Sequence, residues 1–331
     1  MKQLIYEPHY TITDKILTLV AQIATSVDAA AANTDMEENP KLRRANRIHT
    51  IYSSLVIENN SLSLEQVTGI IEGKRVLATP QDICVVENAF QAYRRLFEFN
   101  PYYIMDLLTL HQVLMKDLVK YPGLFRNDNV SVFHSKEIVH IAPPADNVSG
   151  LVANLIQWTK EAAVHPLVKS CVFHYELGFI HPFSDGNGRI GRMWQTLLLY
   201  QWKDIFAWLP LESMVRERQT EYYSTRRCSN DADDCTDFIC FMLQLILDTL
   251  EIYSTCEQDI GQVSDHVRQL LDVLGTKTLS TTELMSLLNL KHRPTFRSNY
   301  LHPALDQHLI EMTLPNAPTS RHQQYRKNTN M

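Results

Sequence analysis

Residues 181–192 read His-Pro-Phe-Ser-Asp-Gly-Asn-Gly-Arg-Ile-Gly-Arg, a run that forces a tight turn and then calls for a helix. Pro182 lacks an N–H and fixes its own φ, so it interrupts regular structure directly after His181. The stretch Asp185-Gly186-Asn187-Gly188 has the composition of a backbone turn, because glycine admits unusual φ values and lets another atom approach closely. From Arg189 to Gln201 helix formers dominate, with Met193, Trp194, Leu197 and Leu198 as an apolar stripe. A glycine turn that opens a helix leaves unpaired N–H groups at the positive end of the macrodipole, which is a site for phosphate. Arg189 and Arg192 add two cations where the dipole disfavours them, which points to an anionic ligand. Asp185 offers a hard oxygen for magnesium, an ion held by one or two carboxylates together with substrate phosphates. His181 titrates near neutral pH and can accept a proton. A lone histidine or a lone Gly-Asn-Gly would read as core or inert loop; all the parts in one run read as a phosphoryl- or nucleotidyl-transfer site.

The run also resembles the signature of Fic domains, His-Pro-Phe-x-x-Gly-Asn-Gly-Arg-x-x-Arg, at every fixed position from His181 to Arg192. The resemblance implies an all-α fold: a Fic-type helical bundle with a β-hairpin flap, here followed by a small C-terminal winged-helix domain. It also implies transfer of AMP from ATP to a hydroxyl side chain of a protein, with release of pyrophosphate. By the same resemblance His181 is the general base, Asp185 the magnesium ligand and Phe183 the apolar anchor of the nucleotide loop. Gly186, Asn187 and Gly188 cradle the α- and β-phosphates, Arg189 stabilises the leaving pyrophosphate, and Arg192 meets the γ-phosphate. Tyr222 and Asn230 would border the adenine pocket, although aromatics at helical spacing are more often core. The expected cofactors are therefore ATP and Mg2+.

Upstream, Ser54-Leu-Val-Ile-Glu58-Asn59 ends a helix expected over 40–57, with Asn59 and Asn60 suited to a left-handed terminus. A glutamate in that position is ordinarily solvated. The segment, however, is similar to the inhibitory motif Ser/Thr-x-x-x-Glu-Gly/Asn of many Fic proteins. A carboxylate beside Arg192 would take the bidentate partner that the γ-phosphate needs, which makes Ser54, Glu58 and Asn59 candidate inhibitory residues. The basic cluster Lys41, Arg43, Arg44 and Arg47 on the same helix reads as a solvated face, with nucleic acid as the alternative.

Around that centre the periodicity predicts helices over 14–31 (capped by Thr13), 64–72, 80–99, 105–118, 151–159, 166–180, 218–227 and 233–253. His174 falls on the helix before the motif and reads as a core or supporting histidine, since no third metal ligand is in view. Residues 130–141 alternate in two short runs and predict a hairpin. By resemblance it is the flap that aligns a target segment by strand addition, with Val130, Val132, Ile138 and His140 as docking positions; a hairpin that only covers core is the alternative. The tail has a capping box at Ser280-Thr-Thr-Glu283 opening a helix to Leu290, and a second helix near Pro294 carrying Arg293, Arg297 and Asn299. Wing strands are expected at 309–312 and 323–326, flanking Pro315, Pro318 and Arg321.

Length and charge set the remaining bounds. A chain of 331 residues divides into two or three units, read as 1–102 (N-terminal helical, with the inhibitory motif), 103–262 (catalytic) and 263–331 (winged-helix-like). The net charge of −6 is uneven: residues 264–331 hold eight Lys or Arg against five Asp or Glu. A basic tail makes DNA a candidate partner of 263–331. No apolar run approaches the ~20 residues of a membrane span, and no signal peptide opens the chain, so a cytoplasmic protein with no membrane partner is expected. The six cysteines form no Cys-x-x-Cys pair and read as free thiols. The expected function is an autoinhibited protein adenylyltransferase whose partner is a protein bearing a Ser, Thr or Tyr hydroxyl, the chain itself included, with a homodimer also compatible. The alternatives are removal of AMP from modified proteins, and a DNA-binding regulator that uses the Fic unit as a nucleotide sensor.

Overall fold

The computed structural model describes residues 7–31, 40–134, 137–261, 265–275, 277–288, 290, 292–306, 309–314, 320 and 323–328. The chain forms two compact units, Met1–Tyr253 and Ser254–Met331.

Helices come first: α1 (Asp14–Ala31), α2 (Pro40–Ile57), α3 (Leu64–Ile71), α4 (Pro80–Arg95) and α5 (Ile104–Leu114). A hairpin follows, β1 (Ser131–His134) and β2 (Glu137–Ile141), and then α6 (Ala145–Glu161), α7 (Pro166–Ile180), α8 (Asn187–Tyr200), α9 (Leu211–Glu217), α10 (Gln219–Ala232) and α11 (Thr236–Gly261). Local chemistry sets many of these limits. Thr79 caps α4 by accepting the Asp82 N–H, with Pro80 in the first turn, and His165 caps α7 ahead of Pro166. The capping box of α3, Ser63 with Gln66, is reciprocal. Helix α2 stops where Asn59 turns left-handed at φ 62°.

Several expected limits move. The stretch 80–99 ends as helix at Arg95 and closes with a 3-10 turn, Leu96–Glu98, and α5 stops at Leu114 rather than Leu118. Helix α6 begins at Ala145, six residues before the expected start, because the chain becomes helical directly after Pro144.

Helix α7 shows why the site is rigid. Its Leu167, Val168, Cys171, Val172 and Tyr175 belong to a core shared with α1 and α11, whereas Phe173, Leu177 and Ile180 belong to a second core shared with α2 to α6. Buried on both sides, α7 is apolar nearly all round, as expected of a helix at the centre of a fold. Helix α8 packs along it and buries Ile190, Met193, Trp194, Leu197 and Leu198. The loop between the two most buried helices therefore has little room to move.

The basic cluster on α2 is a solvated face only in part. Arg43 and Arg47 lie over the Trp208 ring, 4.9 and 5.7 Å from its centroid, whereas Arg44 is exposed and pairs with Glu72 at 3.2 Å. Cation–π packing on a residue far along the chain accounts for Arg43 and Arg47. The Lys41 side chain lies outside the described residues.

In the C-terminal unit α12 (Asp265–Leu274), α13 (Thr281–Leu287) and α14 (Arg293–Phe296) surround an apolar centre of Val267, Leu270, Leu284, Phe296 and Tyr300. Helix α14 passes through a π turn (Arg297–Leu301) into α15 (His302–Asp306). Three antiparallel strands, β3 (Leu279–Ser280), β4 (Ile310–Met312) and β5 (Gln324–Lys327), pair in the order β3-β5-β4, with Leu279 and Met312 both opposite Tyr325. Strands β4 and β5 lie within a residue of the positions expected for wing strands, while β3 and the end of α13 at Leu287 differ from expectation. Pro315, Pro318 and Arg321 lie outside the described residues. Among the described residues no helix is long and apolar enough to cross a membrane.

Ser280 accepts the Glu283 N–H while Glu283 returns to the Ser280 N–H. Ser280→Ala should lower the stability of the C-terminal unit by about 1 kcal/mol, read as an earlier urea midpoint by circular dichroism; an unchanged midpoint would mean the box contributes nothing.

Candidate active site

The site is built on the turn between α7 and α8. His181 ends α7 in a left-handed conformation at φ 51°, and Gly186 opens α8 at φ 83°. The first backbone bond of α8 runs from the Ile190 N–H to the Gly186 carbonyl, so the N–H groups of 187–189 are those a helix N-terminus leaves unpaired. The Asn187 side chain accepts the Phe183 N–H at 2.9 Å and donates to the Phe183 carbonyl at 2.8 Å, so its amide staples the loop. Phe183 is fully buried and stacks on His111 at 3.8 Å, with Phe125 alongside.

Two bracing residues were not singled out from the sequence. His111 on α5 accepts the Gly123 N–H at Nδ1 (2.8 Å) and therefore carries its proton on Nε2, which donates to the Asp185 carbonyl at 3.0 Å. Arg126 is 7% exposed; its Nε donates to the His181 carbonyl at 2.8 Å, and its other nitrogens reach the carbonyls of Asp128, Pro143 and Ile180. Its own N–H donates to the Pro182 carbonyl. One guanidinium thus ties the catalytic turn to the foot of the hairpin. The signal was local, since Gly123 and Arg126 share the turn of 121–126, but their partners in the site lie 12 to 56 residues away.

His181 is held neutral. Burial lowers its pKa to about 4, helped by the positive charge of Arg226. The Gly178 backbone works in the opposite direction but makes no closed hydrogen bond with Nδ1, which is buried and without a partner among the described residues. Arg226, on α10, lies directly over Gly178; a β-carbon there would sit 2.0 Å from its Nη2. His174 is a core residue, 2% exposed, between Gln195 (2.7 Å) and the Tyr222 hydroxyl (3.0 Å), and burial takes its pKa to about 3.

Arg189 and Arg192 are 7% and 3% exposed, and the Nε of each is buried without a partner among the described residues. Buried donors left open at a helix N-terminus mark a place for an anion. A carboxylate already lies there. Glu58 Oε1 is 2.9 Å from Arg192 Nη2, which also donates to the carbonyl (3.1 Å) and hydroxyl (3.2 Å) of Ser54. The contact is single-point rather than the expected bidentate fork, because Ser54 shares the same nitrogen. A β-carbon at Gly188 would lie 2.4 Å from Glu58 Oε1, so the carboxylate rests on the glycine. Burial is the largest influence on the Arg192 pKa and works to lower it, but the Glu58 charge together with the phenols of Tyr222, Tyr93 and Tyr223 raises it overall, so the guanidinium stays protonated. Asn59 is exposed.

Asp185 is largely exposed, its Oδ1 accepting the Gly186 N–H at 2.6 Å and its Oδ2 3.5 Å from Arg189 Nη2. No cluster of three metal-ligating side chains occurs among the described residues. A single accessible carboxylate nevertheless fits magnesium, which takes most of its other ligands from phosphate and water.

Tyr222 does not line an open pocket: it is 1% exposed, bonded to His174 and packed on Phe238. Its neighbour Tyr223 instead donates to the Ile57 carbonyl at 3.3 Å, beside Gln219 at 3.0 Å, so α10 grips the end of α2. Asn230 keeps a buried Oδ1 without a partner among the described residues. In the hairpin, Val132 pairs with His140 and Phe133 with Ile138 around a bulge, and His140 Nε2 donates to the Phe179 carbonyl at 2.8 Å, anchoring β2 to α7. Val130 is half-buried; the side chains of Val132 and Ile138 lie outside the described residues. On the C-terminal unit Arg293, Arg297 and Asn299 are all exposed.

The Fic/DOC family model matches residues 101–199, and the model described as Filamentation induced by cAMP protein Fic-like, C-terminal domain, matches residues 265–327. A crystal structure of a Fic family protein from Desulfovibrio desulfuricans G20 is 45% identical, covers 98% of this chain and 99% of that one, and superposes with a TM-score of 0.74. Protein adenylyltransferase Fic of Drosophila willistoni is 26% identical over 289 residues, 83% of this chain and 55% of that protein; that of Drosophila erecta is 27% identical over 239 residues, 68% and 46% respectively. The chain spans about half the length of these curated relatives.

Three buried histidines make acid a specific stress. His111, His174 and His181 have pKa values of about 4, 3 and 4 in the fold against 6.5 when unfolded. Between pH 6.5 and about 4 the unfolded chain therefore binds more protons, and stability falls as pH falls, by up to roughly 4 kcal/mol per pH unit for three such groups. Thermal unfolding across pH 7 to 4.5 should show this slope, reduced by about a third in His174→Gln; a parent-like slope in that variant would remove His174 from the account.

Proposed function

The chain belongs to the Fic family, and on that footing we propose that it is a protein adenylyltransferase restrained by its own Glu58. The reaction moves AMP from ATP to a serine, threonine or tyrosine hydroxyl of a protein and releases pyrophosphate. The carrying observation is the anion-ready end of α8, with open donors on Arg189 and Arg192 and a carboxylate already seated against Gly188.

In this reading the triphosphate of ATP lies on the backbone N–H groups of 187–189, with its terminal phosphate on Arg192. The neutral His181 imidazole takes the proton of the incoming hydroxyl, whose oxygen forms a bond to the α-phosphorus as the bond to the bridging oxygen breaks. Arg189 stabilises the charge that gathers on the pyrophosphate. A bound triphosphate also adds negative charge near His181 and raises its basicity from the low value set by burial and Arg226. Asp185 would hold magnesium, which neutralises phosphate charge when bound. The hairpin offers the free edges of a two-stranded sheet, to which a target segment can add as a third strand.

Glu58 competes for the terminal-phosphate position, because the carboxylate and a phosphate oxygen need the same donor on Arg192. Its side chain is one-third exposed at a helix end, so it can leave without disturbing the core.

Two substitutions test the reading with radiolabelled ATP. Glu58→Gly should raise AMP incorporation at least tenfold, into a target or into the protein itself; unchanged labelling would reject the inhibitory role. In that background His181→Ala should reduce transfer by more than a hundredfold while ATP still binds, and retained transfer would exclude His181 as the base. AMP released from an already modified protein, without labelling by ATP, would favour the reverse reaction.

A further inference from the structure

Helix α2 ends one residue before Glu58, and its last carbonyl is taken by side chains of another helix. The N–H groups that follow pass that carbonyl over: Glu58 and Asn60 donate to the Leu55 carbonyl at 3.1 and 3.0 Å, and Asn59 donates to that of Val56 at 2.9 Å. The Ile57 carbonyl is thus one of the acceptors that a helix C-terminus leaves open. Gln219 Nε2 donates to it at 3.0 Å and the Tyr223 hydroxyl at 3.3 Å. These two residues lie four positions apart at the start of α10, which puts them on one face of that helix. Burial and the Glu58 charge raise the Tyr223 phenol to about 12, so it keeps the proton it donates.

This carbonyl bears directly on the acid, because the Ile57 C=O and the Glu58 N–H belong to one planar peptide unit. Its N–H end bonds to Leu55 within α2 and its oxygen end to α10, so the plane that carries the Glu58 Cα is clamped at both ends. The Ile57 side chain is fully buried beside it. From this base the Glu58 carboxylate reaches Arg192 and rests on Gly188. The two attachments differ in kind. A phosphate competes for the contact with Arg192, whereas no atom of Arg192 or of the 187–189 cradle takes part in the bonds to Ile57.

We propose that Gln219 and Tyr223 are positioning residues for the inhibitory acid, which hold the Ile57 carbonyl so that Glu58 stays seated against Arg192, and thereby set the resting level of transfer. The inference rests on the reading that Glu58 restrains the reaction. An equilibrium between seated and withdrawn Glu58 shifts by as much as the seated state alone loses. Where Glu58 is absent, the two donors have nothing to position.

The test measures AMP incorporation from labelled ATP for two substitutions, each made in the parent protein and in the Glu58→Gly protein. Gln219→Met keeps the stem and loses the amide; Tyr223→Phe loses only the hydroxyl. In the parent each should raise incorporation roughly three- to tenfold, the effect of one neutral hydrogen bond on the seated state. In the Glu58→Gly protein each should leave incorporation within about twofold, because the interaction it removes acts only through the missing acid. A general loosening of the fold would act alike in both backgrounds. If Glu58→Gly by itself does not raise incorporation, the underlying reading fails. Given that rise, a substitution that leaves the parent unchanged, lowers it, or acts equally in both backgrounds overturns the role of its residue; should one variant not fold, the other decides by the same comparison.

Discussion

A guanidinium 3% exposed to water must have an anion, and much of the arrangement around Arg192 follows from that need. Removing such a cation from water costs several kcal/mol unless opposite charge and acceptors replace the lost hydration. Ser54 contributes two acceptors and Glu58 the charge, from a helix that ends more than 130 residues before the arginine. A nucleotide can satisfy the same need with a phosphate. On the proposed reading, inhibition by Glu58 and binding of the terminal phosphate are two solutions to one electrostatic problem.

The exchange requires a rigid cradle. Helices α7 and α8 are buried on all sides, so the turn between them is positioned by two cores at once. Within the turn, backbone groups are tied by side chains with no chemistry of their own to perform: Asn187 to Phe183, His111 to Asp185, Arg126 to His181 and Pro182. These bonds leave the N–H groups at the start of α8 open, and open donors of fixed direction are what a developing phosphate charge requires. The hydrogen bonds of His111 with the Gly123 N–H and the Asp185 carbonyl need a neutral imidazole in one tautomer, and its burial favours the neutral form.

The histidines share a physical state but not a role. Burial keeps His111, His174 and His181 unprotonated, yet His111 and His174 are fully committed to neighbours while His181 keeps an unpartnered ring nitrogen. On the proposed reading His181 is the histidine that moves a proton, since both ring nitrogens of His111 and of His174 are already engaged. Sequence position alone could not separate them, since His174 and His181 sit two turns apart on one continuous stretch.

The amino-acid sequence by itself determined the features whose causes are local. Pro40, Pro80 and Pro166 start helices, Asn59 ends one, and the two glycines at 186 and 188 mark where a helix N-terminus accepts an anion. Each depends on the φ range or the donor count of residues next to one another, so spacing is enough to read it. Tertiary structure decided what periodicity leaves open, namely which buried face meets which partner. It turned the Arg43 and Arg47 face onto Trp208, drew Tyr222 into the core and placed Tyr223 at the end of α2. It also brought His111 and Arg126 around the turn. A helical period reveals that a residue is covered, but the energy of a buried charge or hydroxyl depends on a partner from another helix, and only the packed fold supplies that partner.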